Sequence, residues 1–289
     1  MIYKVRHATQ MTYAAPVAAA RYNLRLQPAT WSGQRMRDYL LTVNPAPARS
    51  TNNSGPYWVV TTQIEFNRPL RELELVSEFT MEVDPPLEGQ RGPSLDVLRE
   101  QVLAARDLTP LAPAPYLFAS RIAVPSTDIA AWAARHVPAG AGVVEVASAI
   151  MTAIAQEFDY RPGATTSATP PSEAFAARAG VCQDFSHVMI IALRAQGIPA
   201  AYASGYLRTV PPPGKERLVG ADAMHAWVNV WCGKDLGWIG FDPTNACLVH
   251  DDHIQIGMGR DYADVSPIDG TFLGSAPQTM VTSVDVRVV

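Results

Sequence analysis

The first 84 residues alternate. In "MIYKVRHATQMTY", Ile2, Lys4 and Arg6 fall on one parity and Tyr3 and Val5 on the other. A strand sends successive side chains to opposite faces, so a period of two reads as a strand with one wetted face. "YNLRLQP", "DYLLTVNP", "YWVVTTQIEF" and "LRELELVSEFTMEV" have the same short alternating character, with Pro, Gly and Asn between them. In the last of these, Leu73, Leu75, Ser77, Phe79, Met81 and Val83 share one parity, as a half-buried strand requires. Several strands at this spacing predict an antiparallel β-sandwich over residues 1–84. No motif that carries chemistry falls within it, so it reads as a scaffold or recognition domain.

"DPPLEGQRGPS", residues 84–94, reads as a linker. Beyond it the period changes. Val143, Val146, Ile150, Ile154 and Phe158 lie on one helical face, with Met151 beside them. "PPSEAFAARAG" predicts a short helix with Ser172 as N-cap and Gly180 as terminator. In "AGVCQDFSHVMIIALRAQGIPA", Phe185, Met189 and Leu193 recur every four residues, and Gly197 and Pro199 end the helix. Strands follow: "AAYASGYLRTV", "HAWVNVWC", "WIGFDPT", "HIQIGM" and "VTSVDVRVV", interrupted by "PPPGKE" and "GKDLG". Helices followed by strands give an α+β domain and not alternating βαβ units. The expected division is a β-rich domain over 1–84, a linker and helical segment over 85–142, and a core with C-terminal strands over 143–289.

Composition narrows the class. Of 289 residues, 48% are hydrophobic and 17% charged, enough apolar material for a sizeable core and too much for disorder. A net charge of −4 offers no electrostatic case for nucleic acid as a partner. Three cysteines are not a disulfide framework, and the odd count fits thiols in a reducing compartment. The polar, alternating start lacks the apolar stretch of a signal peptide, and no run is long enough to span a bilayer, so the expectation is a soluble, cytoplasmic protein without a membrane partner.

One of those cysteines stands out. A helix beginning near Cys182 places its thiol among free backbone N–H groups at the positive end of the helix dipole, which stabilise a thiolate. The same N–H groups, that of Cys182 included, can bind an oxyanion. His225, in "DAMHAWVNVW", begins a strand; Asp242, in "GWIGFDPTN", ends the next. Pairing of the two through the "CGKDLG" turn brings His225 and Asp242 to the same end of a hairpin. Singly, the three read as a small buried thiol, a satisfied strand histidine and a turn-initiating carboxylate. Together they read as nucleophile, base and orienter of thiol acyl transfer.

Other constellations are weaker. Asp184 and His187 follow Cys182 on the same helix, His187 about 500° round from the thiol, and read as hydrogen-bonded core residues. Cys247, His250 and His253 with Asp251 invite a zinc reading, but their spacing matches no common structural site. "GMGR", residues 257–260, reads as a turn too short for a phosphate loop. Trp227, Trp231 and Trp238 read as core and cleft walls. No acidic cluster resembles a calcium loop.

The blocks "GVCQDFSHVMIIALRAQGIPAAYASGYL", "DAMHAWVNVW" and "GWIGFDPTN" resemble those of the transglutaminase-like superfamily, which has a papain-like cysteine fold. "FDYRPGATTSATPPSEAFAARAG" and "HIQIGMGRDYADVSPIDGTFLG" resemble its bacterial branch, as does the β-rich region ahead of the core. The resemblance implies Cys182 as nucleophile, His225 as base and Asp242 as orienter, acting without cofactor or metal on the amide carbonyl of a peptide or protein. Tyr160 is the candidate for a second oxyanion donor beside the Cys182 backbone. Two departures are visible. "TNNSGPYW" replaces an Asp–aromatic–Gly–Asn turn, and Met224 replaces a small polar residue before the histidine, which narrows the expected cleft. The segment 209–222 leads into His225 and is expected to border that cleft; its three prolines read as a stiff rim. Its Lys215, Glu216, Arg217 and Asp222 have no acidic bias that would bind an amine, so hydrolysis is favoured over cross-linking. A protein-glutamine transamidase and a catalytically idle peptide-binding scaffold stay open as alternatives.

Overall fold

The computed structural model describes residues 1–85, 91–209 and 223–289. The expected cleft rim over 209–222 therefore lies, apart from Thr209, outside the described residues.

Strand β1 (Ile2–Val17) buries Tyr3, Val5, His7, Thr9, Met11 and Tyr13 and turns the residues between them outward. The chain continues through β2 (Ala20–Leu24), β3 (Gln34–Asn44), β4 (Arg49–Ser54), β5 (Val60–Phe66) and β6 (Leu70–Val83). On β6 the predicted parity holds, from Leu73 to Val83. These strands form two antiparallel sheets, and the end of the chain completes both. β14 (Ile268–Phe272) pairs with β2, and β15 (Gln278–Val288) pairs with β1 along its length. The orders are β15-β1-β6-β3 and β14-β2-β5-β4. The C-terminal strands, read from sequence with the core, thus belong to the sandwich. Their alternation specifies a half-buried strand but not the sheet it joins.

One face of the first sheet serves two partners. Met11, Tyr13, Leu73 and Leu75 pack against Tyr22, Leu24, Ile64 and Phe66 of the second sheet. Tyr3, Val5, Phe79, Met81, Val284 and Val286 pack instead against Tyr206, Ile254 and Ile256 of the core. Each such side chain, fully removed from water, contributes about 1.5–3 kcal/mol relative to exposure, so the sandwich and core are welded by an apolar seam. His7 sits where the two packings meet, its Nδ1 2.9 Å from the Tyr206 hydroxyl. The "TNNSGPYW" turn adds a further contact: Met258 donates its backbone N–H to Trp58 O at 2.8 Å.

The core contains α1 (Leu95–Ala104), a 3-10 turn (Ala114–Leu117), α2 (Thr127–Arg135), α3 (Val143–Glu157), α4 (Pro171–Ala177), α5 (Cys182–Ala195) and the short α6 (Tyr262–Val265). Leu98, Val102, Ile129 and Trp132, from the segment read as a linker and helical segment, enter the same apolar cluster as α3 and α5. Helix α5 is buried continuously from residue 184 to 193, because helices cover one face and the sheet the other. Helix α4 departs from its expected caps. Pro170 and Pro171 start it, the fixed proline φ suiting a first turn, and Ser172 is not the cap. Arg178, at φ 50°, ends it, two residues before Gly180. That residue's guanidinium lies 4.1 Å from the Phe175 ring centroid, a cation–π contact that favours the strained position.

The core sheet runs β12 (Cys247–Leu248), β11 (Trp238–Asp242), β10 (Ala223–Trp231), β9 (Ala200–Leu207), β13 (His253–Gly259). A two-residue parallel pair, β7 (Asp159–Tyr160) with β8 (Ala179–Gly180), feeds into α5. β12 and β13 are opposite edges, which in a flat five-stranded sheet stand about 19 Å apart. Only residues 249–252 connect them, and they make a turn, so the sheet must curl until its edges approach. Residues 257–259 of "GMGR" end strand β13, and Arg260 lies just past it, so the segment is not the expected turn. Gly257 lies in β13 because a Cβ there would sit 2.8 Å from Val59 and 3.2 Å from Trp58 O, where the sandwich approaches.

Candidate active site

Cys182 is the first residue of α5, preceded by Val181 as N-cap. Valine has no side-chain acceptor, and Asp184 substitutes: its Oδ2 accepts from Val181 N at 2.8 Å and from the Thr165 hydroxyl at 2.7 Å. The carboxylate satisfies a free N–H at the helix start and holds the turn that presents the thiol. Asp184 is thus buried and partnered, as expected. His187 is as well: it is buried against Tyr202 and accepts from Tyr262 N at 3.2 Å. Burial pushes its pKa down to about 4, so it is neutral.

His225 and Asp242 meet as the hairpin reading expects. β10 and β11 pair antiparallel, with Val228 opposite Phe241 and Trp231 opposite Trp238, which leaves Asp242 near the level of His225. His225 Nε2 lies 2.7 Å from Asp242 Oδ2. Cys182 lies close enough to the imidazole to influence its charge, and with Nε2 committed to Asp242 the nitrogen left for the thiol is Nδ1. Burial opposes charge on the ring, but Asp242 and Cys182 outweigh it and raise the His225 pKa to about 9. Asp242 has no exposed surface. Burial favours its neutral form, yet donors from His225, His253 and Asn245 overcome that and hold the carboxyl well below the usual carboxylate range. A thiol at a helix start, an imidazole that stays protonated at neutral pH and a permanently ionised carboxylate form a chain able to hold and move one proton.

Two residues join this cluster that sequence reasoning did not assign to it. Asn245 Nδ2 donates to Asp242 Oδ2 at 2.7 Å; its place in "FDPTN" carried the signal, since a four-residue turn returns its fourth residue to its first. His253 Nε2 lies 3.0 Å from the same oxygen. No local spacing announces that contact, because the curl of the sheet makes it.

The remaining candidates fall as follows. Cys247, His250 and His253 do converge, with one ligand atom of each within 4.8 Å of the others. The neighbouring Asp251 instead groups with His250 and Asp252. Tyr160 is exposed, with its ring edge-on to Phe185. Burial first, and the neighbouring Cys182 second, raise its pKa. Trp227 is buried and edge-on to His253, Trp231 is buried in the core, and Trp238 donates to Leu111 O at 2.9 Å. Met224 does not narrow the cleft: it packs on the seam with the sandwich, because neighbours in a strand face opposite ways. Among the described residues no helix is long and apolar enough to cross a membrane.

Comparison with known proteins agrees with this fold. Residues 130–243 match the transglutaminase-like superfamily, and residues 3–82 match the bacterial transglutaminase-like N-terminal region. An uncharacterized protein of Mycobacterium tuberculosis is 38% identical over 293 residues, covering 98% of this chain and 92% of the relative. A protein-glutamine gamma-glutamyltransferase of Pseudomonas aeruginosa is 33% identical over 137 residues, 45% of this chain and 20% of that protein. The crystal structure of a candidate cysteine protease from Cytophaga hutchinsonii shares the fold, with a TM-score of 0.77 at 22% identity, over 100% of this chain and 92% of that one. Sandwich, core and the chain-long similarity together make this protein a member of the transglutaminase-like superfamily that carries the bacterial N-terminal region.

Proposed function

We propose that this protein is a cysteine-dependent acyl-transfer enzyme that hydrolyses amide bonds of peptides or proteins. The observation that carries the reading is His225, hydrogen-bonded to Asp242 at 2.7 Å, with Cys182 at the start of α5 close enough to influence the charge of the ring. The Cys182 thiolate attacks the amide carbonyl, and the backbone N–H groups at the start of α5 receive the developing oxyanion. Tyr160 is the candidate second donor. His225 passes its proton to the departing amine, leaving a thioester on Cys182. It then takes a proton from water as the water attacks, and the free acid and thiol are restored. Asp242 keeps the ring oriented and stabilises its cation.

Water as acceptor is supported by the sequence of residues 209–222, which has no acidic excess to concentrate a lysine-like amine. The Pseudomonas relative makes transamidation the alternative. The three cysteines are unpaired thiols, which supports a reducing, cytoplasmic setting. The test supplies a library of glutaminyl and peptidyl amides in ¹⁸O-labelled water with a lysine-like amine at millimolar concentration. Free acid carrying ¹⁸O is the expected product, absent with Cys182→Ala. Predominantly amide product would establish transamidation, and no turnover of any donor would leave the idle scaffold.

A further inference from the structure

The Asp242 carboxylate is held by more than its proposed partner requires. Oδ1 accepts from Thr244 N at 2.9 Å and Asn245 N at 3.1 Å, both within its own turn. Oδ2 accepts from His225, from Asn245 and, at 3.0 Å, from His253 on the far edge of the sheet. Among the described residues, His253 is thus the donor to Asp242 that comes from neither the turn nor the triad.

Resting on the triad reading above, we propose that His253 is a positioning residue: its Nε2–H holds Asp242 Oδ2 opposite His225, and the N-terminal sandwich holds His253 in place. The tautomer follows from the other nitrogen. His253 Nδ1 accepts from His250 N at 3.4 Å, so the proton lies on Nε2 and is donated to the carboxylate. The ring is buried, and burial keeps it neutral. With both nitrogens occupied, His253 is not free to ligate a metal alongside Cys247 and His250.

The turn leading into His253 is clamped from the sandwich. Asp252 accepts from the Tyr3 hydroxyl at 2.9 Å and from Arg208 Nε at 2.5 Å. Two residues beyond His253, Gln255 N donates to Gln34 Oε1 at 2.9 Å. Tyr3 lies on β1 and Gln34 on β3, so sandwich side chains grip the strand on both sides of His253. This gives the N-terminal region a part in the site without contact with substrate.

The effect on His225 has a definite sign. A third donor on Oδ2 draws off part of the charge that would otherwise stabilise the His225 imidazolium. Removing it concentrates that charge on His225 and raises the pH at which the ring loses its proton. The other titratable and charged groups around the cluster are Cys182 on α5, Cys247 on β12, His250, Asp251 and Asp252 in the turn, and Tyr3 and Arg208 on Asp252, and the substitution removes none of them.

The test compares His253→Phe, which fills the space without a donor, with His253→Gln, which restores an N–H at similar reach. Readouts are the pH dependence of Cys182 alkylation by iodoacetamide, and kcat and KM for p-nitrophenyl acetate. His253→Phe is expected to move the alkaline limb up by about half a unit to one unit. It should lower kcat about tenfold, the worth of one hydrogen bond, with KM unchanged. His253→Gln should return both toward wild type, and Tyr3→Phe should show a smaller shift in the direction of His253→Phe. Should His253→Phe not fold, His253→Asn, whose donor stops short, takes its place with the same expectation. A folded donor-less variant with wild-type limb and kcat overturns the proposal, as does a Gln variant no better than Phe. A Tyr3→Phe variant identical to wild type removes the sandwich from it. Failure of the triad reading is a different result: His225→Ala would then retain wild-type alkylation and turnover.

Discussion

Gly205 sits on β9 between the two strands that matter most. His225 is its partner on β10 and Gln255 its partner on β13. A Cβ at this position would overlap the Ile254 carbonyl oxygen, lie 2.5 Å from the Trp227 indole edge and 3.0 Å from Ile254 C. Nonbonded carbons rest at about 3.5–4.0 Å, so Gly205→Ala demands a shift of about 1 Å. Neither obstacle can yield locally: one is a hydrogen-bonded backbone, the other a ring with no exposed surface. Overpacking of this kind costs about 1–3 kcal/mol, the upper end applying where both sides are rigid. The reduced chain entropy of alanine in the unfolded state offsets at most about 1 kcal/mol. A net loss near 2 kcal/mol lowers Tm by about 3 °C for a chain of this size. The shift also acts on His225, and about 1 Å of misplacement in a reacting group can cost about a hundredfold in rate. Calorimetry and the iodoacetamide rate of Cys182 measure the two effects. Gly55→Ala, where a Cβ meets nothing within 4 Å, is the control and should match wild type. A Gly205→Ala protein with wild-type Tm and wild-type thiol reactivity would refute the reasoning.

Limiting iodoacetamide at neutral pH should label Cys182 first, because burial holds the Cys232 thiol up at about 12, and burial with the Asp242 charge holds Cys247 at about 11; peptide mapping that finds either of these ahead of Cys182 contradicts the site. Cys182→Ala and His225→Ala should both abolish covalent turnover, since the two act as a unit, while Asp242→Asn should cost less, about 10²–10⁴-fold; steady-state rates of the folded variants rank them. Acid should weaken the fold before any carboxylate titrates. Burial lowers both His7 and His187 to about 4, so the unfolded chain binds protons from about pH 6.5 downward that the folded chain refuses until about pH 4. The stability that these two histidines contribute is then full above pH 6.5 and falls through that window, and a Tm unchanged between pH 7 and pH 4.5 would contradict neutral burial of the pair.

Periodicity decided a great deal before any tertiary contact was known. The parity of β1 and β6, the four-residue recurrence on α5 and the helix start at Cys182 follow from which side chains avoid water and from the free N–H groups of a first turn. The hairpin joining His225 to Asp242 was equally legible, because a short turn forces its strands into register. What a local pattern does not encode is which apolar surface covers a given face. The same odd positions of β1 meet the second sheet at one end and the core at the other, and the alternation of β15 reads identically whether it pairs in the core or, as it does, with β1. Polar β4 lacks the alternation altogether and becomes a strand because β5 offers it an edge. The link from His253 to Asp242 depends on a sheet curled by a connection too short to span it flat. Such closure is a property of the whole assembled sheet, so only the tertiary structure could bring that second histidine to the carboxylate.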